Sequence, residues 1–312
     1  MSLRTSIARL ISPETRVELA CRFLPREFRE PLRRLVRVPY HRASARTLGE
    51  CNVWNYDLRR VAHILEKGLC HPAWTPGHSG PIARELESLL ERTPEEHREN
   101  DPTWKWARAI LDEYQEAQLV GFTKRSTSTW DDSASDLCGG IDELLRSRRS
   151  IRNYRDKPVS NEVLGEILES INWCSTSCNR QPAMLYVVRS PERITSVMQR
   201  FAGSTGFSRN VPCAIVFCGD MRAYTMPMEM YLPAIDVSLG IQSCALAAHV
   251  RGLSLTLMSW AHHSEADDQG LRHDLGIPAW EQIIVGGLLG YPTVTLPPPG
   301  RKSAAHTATI ID

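Results

Sequence analysis

The spacing of apolar residues divides the chain into two parts. In the first part, apolar side chains recur every three or four positions, which is typical of amphipathic helices. One run covers Tyr56 to Gly68, a second begins at Ile82, and a third follows Asp101-Pro102, a cap with proline at the first helical position. We therefore predict that this part is helical and contains no strands.

In the second part, short β-rich runs alternate with helical ones. Ser160 is the expected N-cap of one helix, after the turn signal at Asp156-Lys157-Pro158. The alternation predicts a sheet covered by helices. Helices are expected at 141–147, 161–172 and 234–250, and strands at 184–188, 213–218, 253–258 and 282–289.

A stretch rich in Ser, Thr and Asp, from Thr123 to Ser135, separates the two parts and is typical of a linker. We predict a helical N-terminal extension over residues 1–122, a linker over 123–140 and a second domain over 141–312.

The charge balance argues against several classes of partner. Lys and Arg number 37 against 36 Asp and Glu, and 42% of the residues are apolar, as in a globular protein. A net charge of +1 does not favour nucleic acid as a partner. No apolar run approaching the ~20 residues of a membrane span and no signal sequence are apparent, so we expect a cytoplasmic protein without a membrane partner.

Local charge is concentrated at the start of the chain. Residues 1–50 carry eleven Arg and five Glu, with no Lys or Asp, which gives a net charge of +6. The stretch is either a solvated helical arm or a contact for an anionic membrane surface or an acidic partner.

The cysteines and histidines do not favour a metal site. The nine cysteines are scattered and include no C-x-x-C pair, a pattern typical of reduced thiols. His262 and His263 are adjacent, so they cannot point the same way from a helix, and the expected structure is a solvated loop.

Two segments carry the chemistry. The first, Arg148 to Tyr154, concentrates guanidinium groups and a hydroxyl, the donors that a phosphate monoester requires. The second, Cys174 to Pro182, has small hydroxyl side chains followed by carboxamides, which suit the edge of a heteroaromatic ring and its polyol tail. A solvated helix end and a structural loop are the alternatives for each segment taken alone.

Together, and in this order, the segments resemble the FMN-dependent nitroreductase family. Its pattern is Arg-x-Ser-x-Arg/Lys-x-aromatic, then a turn such as Asp-Lys-Pro-Val, then a helix, then Ala-Pro-Ser-x-x-Asn-x-Gln-Pro; this chain has Cys174, Ser175 and Thr176 at the Ala-Pro-Ser positions. Residues 236–251 resemble the central helix of the family, and Leu-Gly-Tyr-Pro stands at 289–292. The resemblance covers residues 141–302.

The resemblance implies an α+β fold, with a mixed, largely antiparallel sheet flanked by helices and preceded by the α-helical extension. It also implies an oxidoreductase that transfers hydride from NADH or NADPH, through N5 of FMN, to a small planar or conjugated acceptor. A homodimer is expected, with the β-prone tail His306 to Ile311 as an arm that pairs with the partner.

The resemblance places no catalytic side chain and no metal in the site, because the flavin itself performs the redox chemistry. Arg148 and Ser150 would hold the phosphate and ribityl end, Arg152 would lie near the ribityl chain and the N1/O2 edge, and the backbone N–H of Ser259 would face N5. The loop with Thr176, Ser177 and Asn179 would face a flavin, which in this family is often that of the partner subunit. The full cofactor-binding set is Arg148, Arg149, Ser150, Arg152, Thr176, Ser177, Asn179, Gln181, Ser259 and Arg301, with Lys302 as the fallback for Arg301.

Two other functions stay open at this stage. One is a specialised flavin oxidase or dehydrogenase that acts on a biosynthetic intermediate, because one fold hosts many reactions. The other is a non-catalytic flavin-fold scaffold that recruits a partner through its N-terminal helices. The Met- and Tyr-rich segment Asp220 to Tyr231 is either a mobile apolar cover over a planar ring or ordinary packing.

Overall fold

The computed structural model describes most of the chain beyond residue 50. The predicted Arg-rich arm lies almost entirely outside the described residues, as does most of the predicted linker, and His262 lies outside them too. The described residues are 19, 22–24, 51–71, 73–98, 101–127, 138–202, 210–261, 263–299 and 301–311.

Three helices form the N-terminal region: α1 (Cys51–Leu69), α2 (Gly80–Glu91) and α3 (Pro102–Val120). The Asp101 side chain accepts a hydrogen bond from the backbone N–H of Thr103, so the predicted cap at the start of α3 is present. The apolar faces of the three helices meet in one buried cluster that includes Leu58, Leu65, Leu86 and Leu111. Single-turn helices follow α2 and α3 at Glu95–Arg98 and Lys124–Thr127.

A four-stranded sheet forms the centre of the second part. Its strands lie in the order β1-β2-β4-β3, and each neighbouring pair among them is antiparallel. Strand β2 is buried along its whole length because it lies inside the sheet under helices. The strands are β1 (Ala183–Val188), β2 (Cys213–Asp220), β3 (Ser254–Ser259) and β4 (Glu281–Gly290).

Helices cover the two faces of this sheet. On one face α5 and α7 pack in a cluster with Ile215 and Leu289, and on the other face α6 and α8 pack in a cluster with Val216 and Leu288. Their bounds, with those of α4, are α4 (Cys138–Ser147), α5 (Asn161–Glu169), α6 (Pro191–Arg200), α7 (Leu232–Val250) and α8 (Glu265–Leu275). Helices α4, α5 and α7 overlap the predicted helices at 141–147, 161–172 and 234–250, whereas α6 and α8 were not predicted.

Helix α7 is the apolar centre of the second part. In the described part of the chain, Met228–Val250 is the one stretch that is long and apolar enough to cross a membrane by length and composition, contrary to the expectation that no such run exists. Its buried residues Val237, Ile241 and Cys244 lie in the core cluster over the sheet. The stretch therefore serves as a core helix in this structure.

Gly240 of α7 sits where two backbones approach closely. A Cβ atom at this position would lie 2.4 Å from Cγ1 and 2.9 Å from the carbonyl oxygen of Ile171. Ile171 belongs to the 3₁₀ helix Ser170–Trp173 that continues α5, in a region where the sequence predicted α-helix as far as residue 172. Only glycine lets α7 pack this close to the segment that leads into the Cys174–Pro182 loop.

One buried hydrogen bond joins the N-terminal helices to the sheet. The Tyr56 hydroxyl on α1 donates to the Asp220 carboxylate at the end of β2, over 2.9 Å. Tyr56 also packs against Met221, Ala223 and Tyr224, which follow β2. The first five residues of the predicted apolar cover, 220–224, are buried, while Met226, Met228 and Tyr231 are exposed. The predicted domain boundaries at 122 and 140 stay a prediction.

The C-terminal tail does not extend the sheet within the single chain. A 3₁₀ turn covers Ala304–His306, and Ile310 and Ile311 are exposed. The predicted arm, which requires a partner chain, stays a prediction.

Two glycine substitutions should change stability in opposite directions. We expect Gly240→Ala to lower the free energy of unfolding by about 2 kcal/mol or more, because its Cβ would overlap with Ile171. Gly165→Ala, in the interior of α5 with no atom within 4 Å of the new Cβ, should instead raise it by up to about 1 kcal/mol through helix propensity. Urea unfolding monitored by circular dichroism measures both, and two changes of the same sign would contradict the packing described for Gly240.

Candidate functional site

The basic segment that begins at Arg148 follows the C-terminus of α4 and is fixed against β3. The hydroxyl of Ser254 accepts a hydrogen bond from the backbone N–H of Ile151 (3.2 Å) and donates one to the carbonyl of Arg149 (3.1 Å). Thr256 donates to the carbonyl of Ile151 over 2.6 Å. Because Ser254 and Thr256 are buried, these bonds define the path of the segment.

The structure brings Arg148 close to Arg301, the two residues expected at the phosphate. Burial, together with the charges of Arg301 and Arg149, lowers the pKa of the Arg148 guanidinium. No hydrogen bond or ion pair joins the Arg148 side chain to any residue that the structure describes. The pKa of His249 is lowered by burial and by Arg148 and Arg149, so this edge of the protein is strongly cationic.

Arg149 has a different role from Arg148. Its guanidinium donates to the carbonyl oxygens of Pro297 (3.1 Å) and Arg148 (2.8 Å), and a third bond reaches the carbonyl of Arg146. These bonds hold the proline-rich stretch that leads to Arg301 next to the end of α4. Arg149 therefore positions the cluster, whereas the neighbouring Arg152 is exposed.

The Cys174–Pro182 loop has an unusual backbone. Cys178, Asn179 and Gln181 each have φ 51°, the left-handed region that non-glycine residues seldom adopt. Such residues cost of order 1–3 kcal/mol each and persist only where the surroundings hold them. Within the loop, the Thr176 hydroxyl accepts a hydrogen bond from the backbone N–H of Gln181, and the side-chain oxygen Oδ1 of Asn179 accepts one from the Gln181 side-chain amide.

A buried carboxylate on α7, Asp236, fixes the start of this loop. It accepts the backbone N–H of Ser177 (2.9 Å), the Ser177 hydroxyl (3.0 Å) and the Tyr224 hydroxyl (2.8 Å). Burial and the Asp236 charge raise the pKa of Tyr224, which therefore stays a hydrogen-bond donor. The Ser177 hydroxyl, expected to face a flavin, is directed to Asp236 in this chain.

Arg180 fixes the middle of the same loop. It is 5% exposed, and its guanidinium donates to Glu229 over 3.0 Å and lies 5.2 Å from the centre of the Tyr224 ring. The Arg180 carbonyl accepts a hydrogen bond from Arg59 of α1. Sequence reasoning did not select Arg180, Asp236 or Glu229, because their roles depend on partners dozens of residues away.

Ser259 lies at the other end of β3 from the arginine cluster. A slot of about 510 Å³ is lined there by Ser259 and mainly apolar residues of β3 and β4, with Ala234 of α7. The Ser259 carbonyl accepts the backbone N–H of Ala202, and its hydroxyl accepts that of Ala261. Five residue steps separate Ser254 from Ser259, which corresponds to about 17 Å along a strand.

These features fit a flavin mononucleotide. The unpartnered guanidinium of Arg148 beside Arg301 suits a phosphate, and the apolar slot suits a planar ring. The carboxamides of Asn179 and Gln181 supply further donors and acceptors. The structure does not gather all ten predicted residues around one point, because Ser177 binds Asp236 and Arg149 binds carbonyl groups.

A further buried acid, Glu281, does not belong to the predicted cofactor-binding set. Glu281, at the start of β4, is 2% exposed and accepts a hydrogen bond from the Tyr186 hydroxyl over 2.8 Å. Burial raises the pKa of Glu281 to about 7; Asp220 adds to this shift, while the Tyr186 bond and the charges of Arg222 and Arg272 oppose it.

Comparison with known proteins assigns this combination of features to a family. The family model named "Nitroreductase family" matches residues 145–205, which include the basic segment and the loop. The nitrobenzene nitroreductase of Ectopseudomonas oleovorans is 41% identical over 210 residues, an alignment that covers 50% of this chain and 88% of that protein.

Two further proteins each match about half of the chain. An FMN reductase [NAD(P)H] of Bacillus subtilis is 25% identical over 167 residues, covering 49% of this chain and 67% of the relative. The crystal structure of a nitroreductase-like protein from Streptococcus mutans superposes with a TM-score of 0.50 at 18% identity, covering 56% of this chain and all of that one. The predicted fold class is thereby confirmed.

Glu281 should make stability depend on pH. Because its pKa in the folded state exceeds that of the unfolded chain, the folded state retains a proton that the unfolded state releases. The free energy of unfolding should therefore fall by up to about 1.4 kcal/mol per pH unit as the pH rises from about 4.5 to about 7.

Glu281→Gln should remove this part of the slope, as measured by urea unfolding at a series of pH values. Glu143→Gln, at an exposed position of α4, is the control and should leave the slope as it is. Parallel curves for wild type and Glu281→Gln would contradict the raised pKa.

Proposed function

Because the chain belongs to the nitroreductase family and is an NAD(P)H-dependent oxidoreductase of that family, we propose that it transfers hydride from NADH or NADPH to a small planar or conjugated acceptor. The arginine cluster and the apolar slot at opposite ends of β3 support this proposal. The natural acceptor is proposed at the level of its chemical class.

The predicted cofactor and co-substrate, FMN and NAD(P)H, are confirmed at the level of the family by the FMN reductase among the relatives. The chemistry that bound FMN supplies is two-electron transfer by way of N5. The chain's own residues bind it, orient it and exclude water around it.

Arg148 is the residue on which the phosphate assignment depends. Its guanidinium is half-buried and close to Arg301, yet has no acceptor among the described residues. Two neighbouring guanidinium groups repel each other, and a phosphate dianion bound between them would replace this repulsion with attraction. We propose that Arg148, Arg301 and Ser150 hold the phosphate, with Arg149 as the positioning residue.

The remaining residues of the cofactor set are proposed contacts with the ring and the ribityl chain. Arg152 would stabilise negative charge near the N1/O2 edge, and Thr176, Asn179 and Gln181 would offer hydroxyl and carboxamide groups. Ser259 would offer its backbone N–H near N5, at the edge of the slot. Ser177 would act indirectly, because Asp236 fixes its position.

We also propose that the protein is a homodimer. Ile235 and Leu239 on α7 are 51% and 49% exposed, and Tyr231, which directly precedes this helix, is 68% exposed; the three recur every four residues and form one apolar stripe along the outer face of α7. Large exposed apolar patches of this kind mark interaction surfaces. The cytoplasmic location and the absence of a nucleic-acid partner stay predictions.

A flavin assay separates the proposed function from its alternatives. Purified protein should absorb near ~450 nm and lose that absorbance when NADH or NADPH is added without oxygen. A bound flavin that neither nicotinamide reduces would indicate an oxidase or dehydrogenase acting on another substrate. A colourless protein that does not take up FMN would indicate a scaffold.

Arg148→Ala should weaken FMN binding by about 10- to 100-fold, because it removes a charge-assisted contact with the phosphate. Fluorescence titration of the flavin-free protein with FMN measures the dissociation constant. Arg146→Ala is the matched control, because Arg146 is exposed two residues away and pairs with Asp142. Equal affinity of wild type and Arg148→Ala would refute the phosphate assignment.

Ile235→Lys should dissociate the proposed dimer, because it places a charge in the apolar stripe on α7. Sedimentation velocity at micromolar concentration should show a dimer for wild type and a monomer for the variant. Leu119→Lys, at an 88% exposed position of α3, is the control and should remain dimeric. A wild-type monomer would overturn the proposal.

A further inference from the structure

A second cleft lies between the N-terminal helices and the Cys174–Pro182 loop. Its volume is about 640 Å³, within the range of small-molecule sites. The N-terminal helices form one wall and the loop with the start of β1 forms the other. The residues used below are Asn55, Arg59, Thr103, Trp106, Asn179 and Gln181.

The first observation is an unsatisfied acceptor on Asn55, a residue that lines this cleft. The Asn55 side-chain amide donates to Asp101 over 2.9 Å, which sets the orientation of the carboxamide. Its oxygen, Oδ1, is shielded from solvent and has no hydrogen-bond partner in the described part of the chain. A buried acceptor left without a donor costs about 1–3 kcal/mol, so a ligand that brings an N–H or O–H there would bind more tightly.

The second observation is that some N–H donors of the Arg59 guanidinium have no acceptor among the described residues. Arg59 donates through Nε to Thr103 (3.0 Å) and through one terminal nitrogen to the carbonyl of Arg180 (3.2 Å). Burial lowers the pKa of Arg59, and none of the residues described here forms an ion pair with it. Its second terminal nitrogen therefore has donors left for a carboxylate or a nitro group.

The third observation is the wall opposite Arg59. Asn179 and Gln181 line the cleft, and both have φ 51°, so the strained part of the loop presents its carboxamides here. Trp106 adds an aromatic side chain on which a planar ring can stack. Asn179 and Gln181 also belong to the proposed cofactor-binding set, so the cleft and the proposed flavin contacts share these two side chains.

We propose that this cleft binds the acceptor, and that it takes a planar aromatic molecule with a two-oxygen group facing Arg59 and an N–H or O–H facing Asn55. The N-terminal helices thus select the substrate of the oxidoreductase. The inference rests on the proposed function, because it assigns the substrate class of that same site.

Calorimetric titration of the FMN-loaded protein tests the cleft without turnover. The probe is 4-aminobenzoate, which has both groups; aniline lacks the carboxylate, benzoate lacks the amine, and 4-nitroaniline replaces the carboxylate with a nitro group. Wild type should bind 4-aminobenzoate at least tenfold more tightly than aniline or benzoate. The affinity for 4-nitroaniline shows whether carboxylate or nitro is the preferred two-oxygen group.

Two variants assign the binding to its residues. Arg59→Gln should weaken 4-aminobenzoate at least tenfold and aniline less than twofold, whereas Asn55→Ala should weaken 4-aminobenzoate at least fivefold and benzoate less than twofold. Arg60→Gln is the control on the same helix, because Arg60 pairs with Glu85 on α2 and does not line the cleft. Thermal melting and bound flavin per chain show whether each variant is folded.

The outcomes separate the two proposals. Equal losses of affinity for all probes in Arg59→Gln would mean that Arg59 has a structural role and would overturn the inference. A yellow wild-type protein whose dissociation constant exceeds 10 mM for every probe, a binding free energy weaker than about −3 kcal/mol, would overturn it too. If a variant does not fold, the ratio of wild-type affinities for the four probes still decides. A protein that holds no FMN contradicts the proposed function instead.

Discussion

The buried carboxylate of Asp236 is the constraint on which the site depends. A charge that is 2% exposed is tolerated only where donors surround it, and Asp236 has three, from Ser177 and Tyr224. Those donors connect the central helix, the loop and the segment after β2. Since Gly240 lets the same helix approach Ile171, the position of the loop follows from the packing of α7.

The N-terminal helices reach this loop from the other side. Arg59 holds the carbonyl of Arg180, and Tyr56 donates to Asp220, which also binds the Arg222 guanidinium over 2.7 Å. The extension is therefore part of the same packed structure as the flavin half. The N-terminal helices thereby form one wall of the cleft whose other wall carries Asn179 and Gln181.

Local signals made much of the fold predictable. The Ser160 and Asp101 caps and the apolar spacing of α1, α2 and α3 are short-range features, and the structure contains them. Helices α6 and α8 begin with comparable signals, at Ser190-Pro191 and at the Ser264–Asp267 capping box, although neither helix was predicted. The buried pairings were beyond reach because Tyr56 and Asp220 are 164 residues apart.

That separation has a consequence for how the protein is made. Residue 56 leaves the ribosome long before its acceptor on β2 exists, and at 5–20 residues per second the delay is about 8–33 s. During this interval the three N-terminal helices can bury Leu58, Leu65 and Leu111 among themselves, yet the Tyr56 hydroxyl has no partner in the sheet. Attachment of the extension is thus a late event in biosynthesis, and the cleft between the extension and the loop is completed only after most of the chain has been translated.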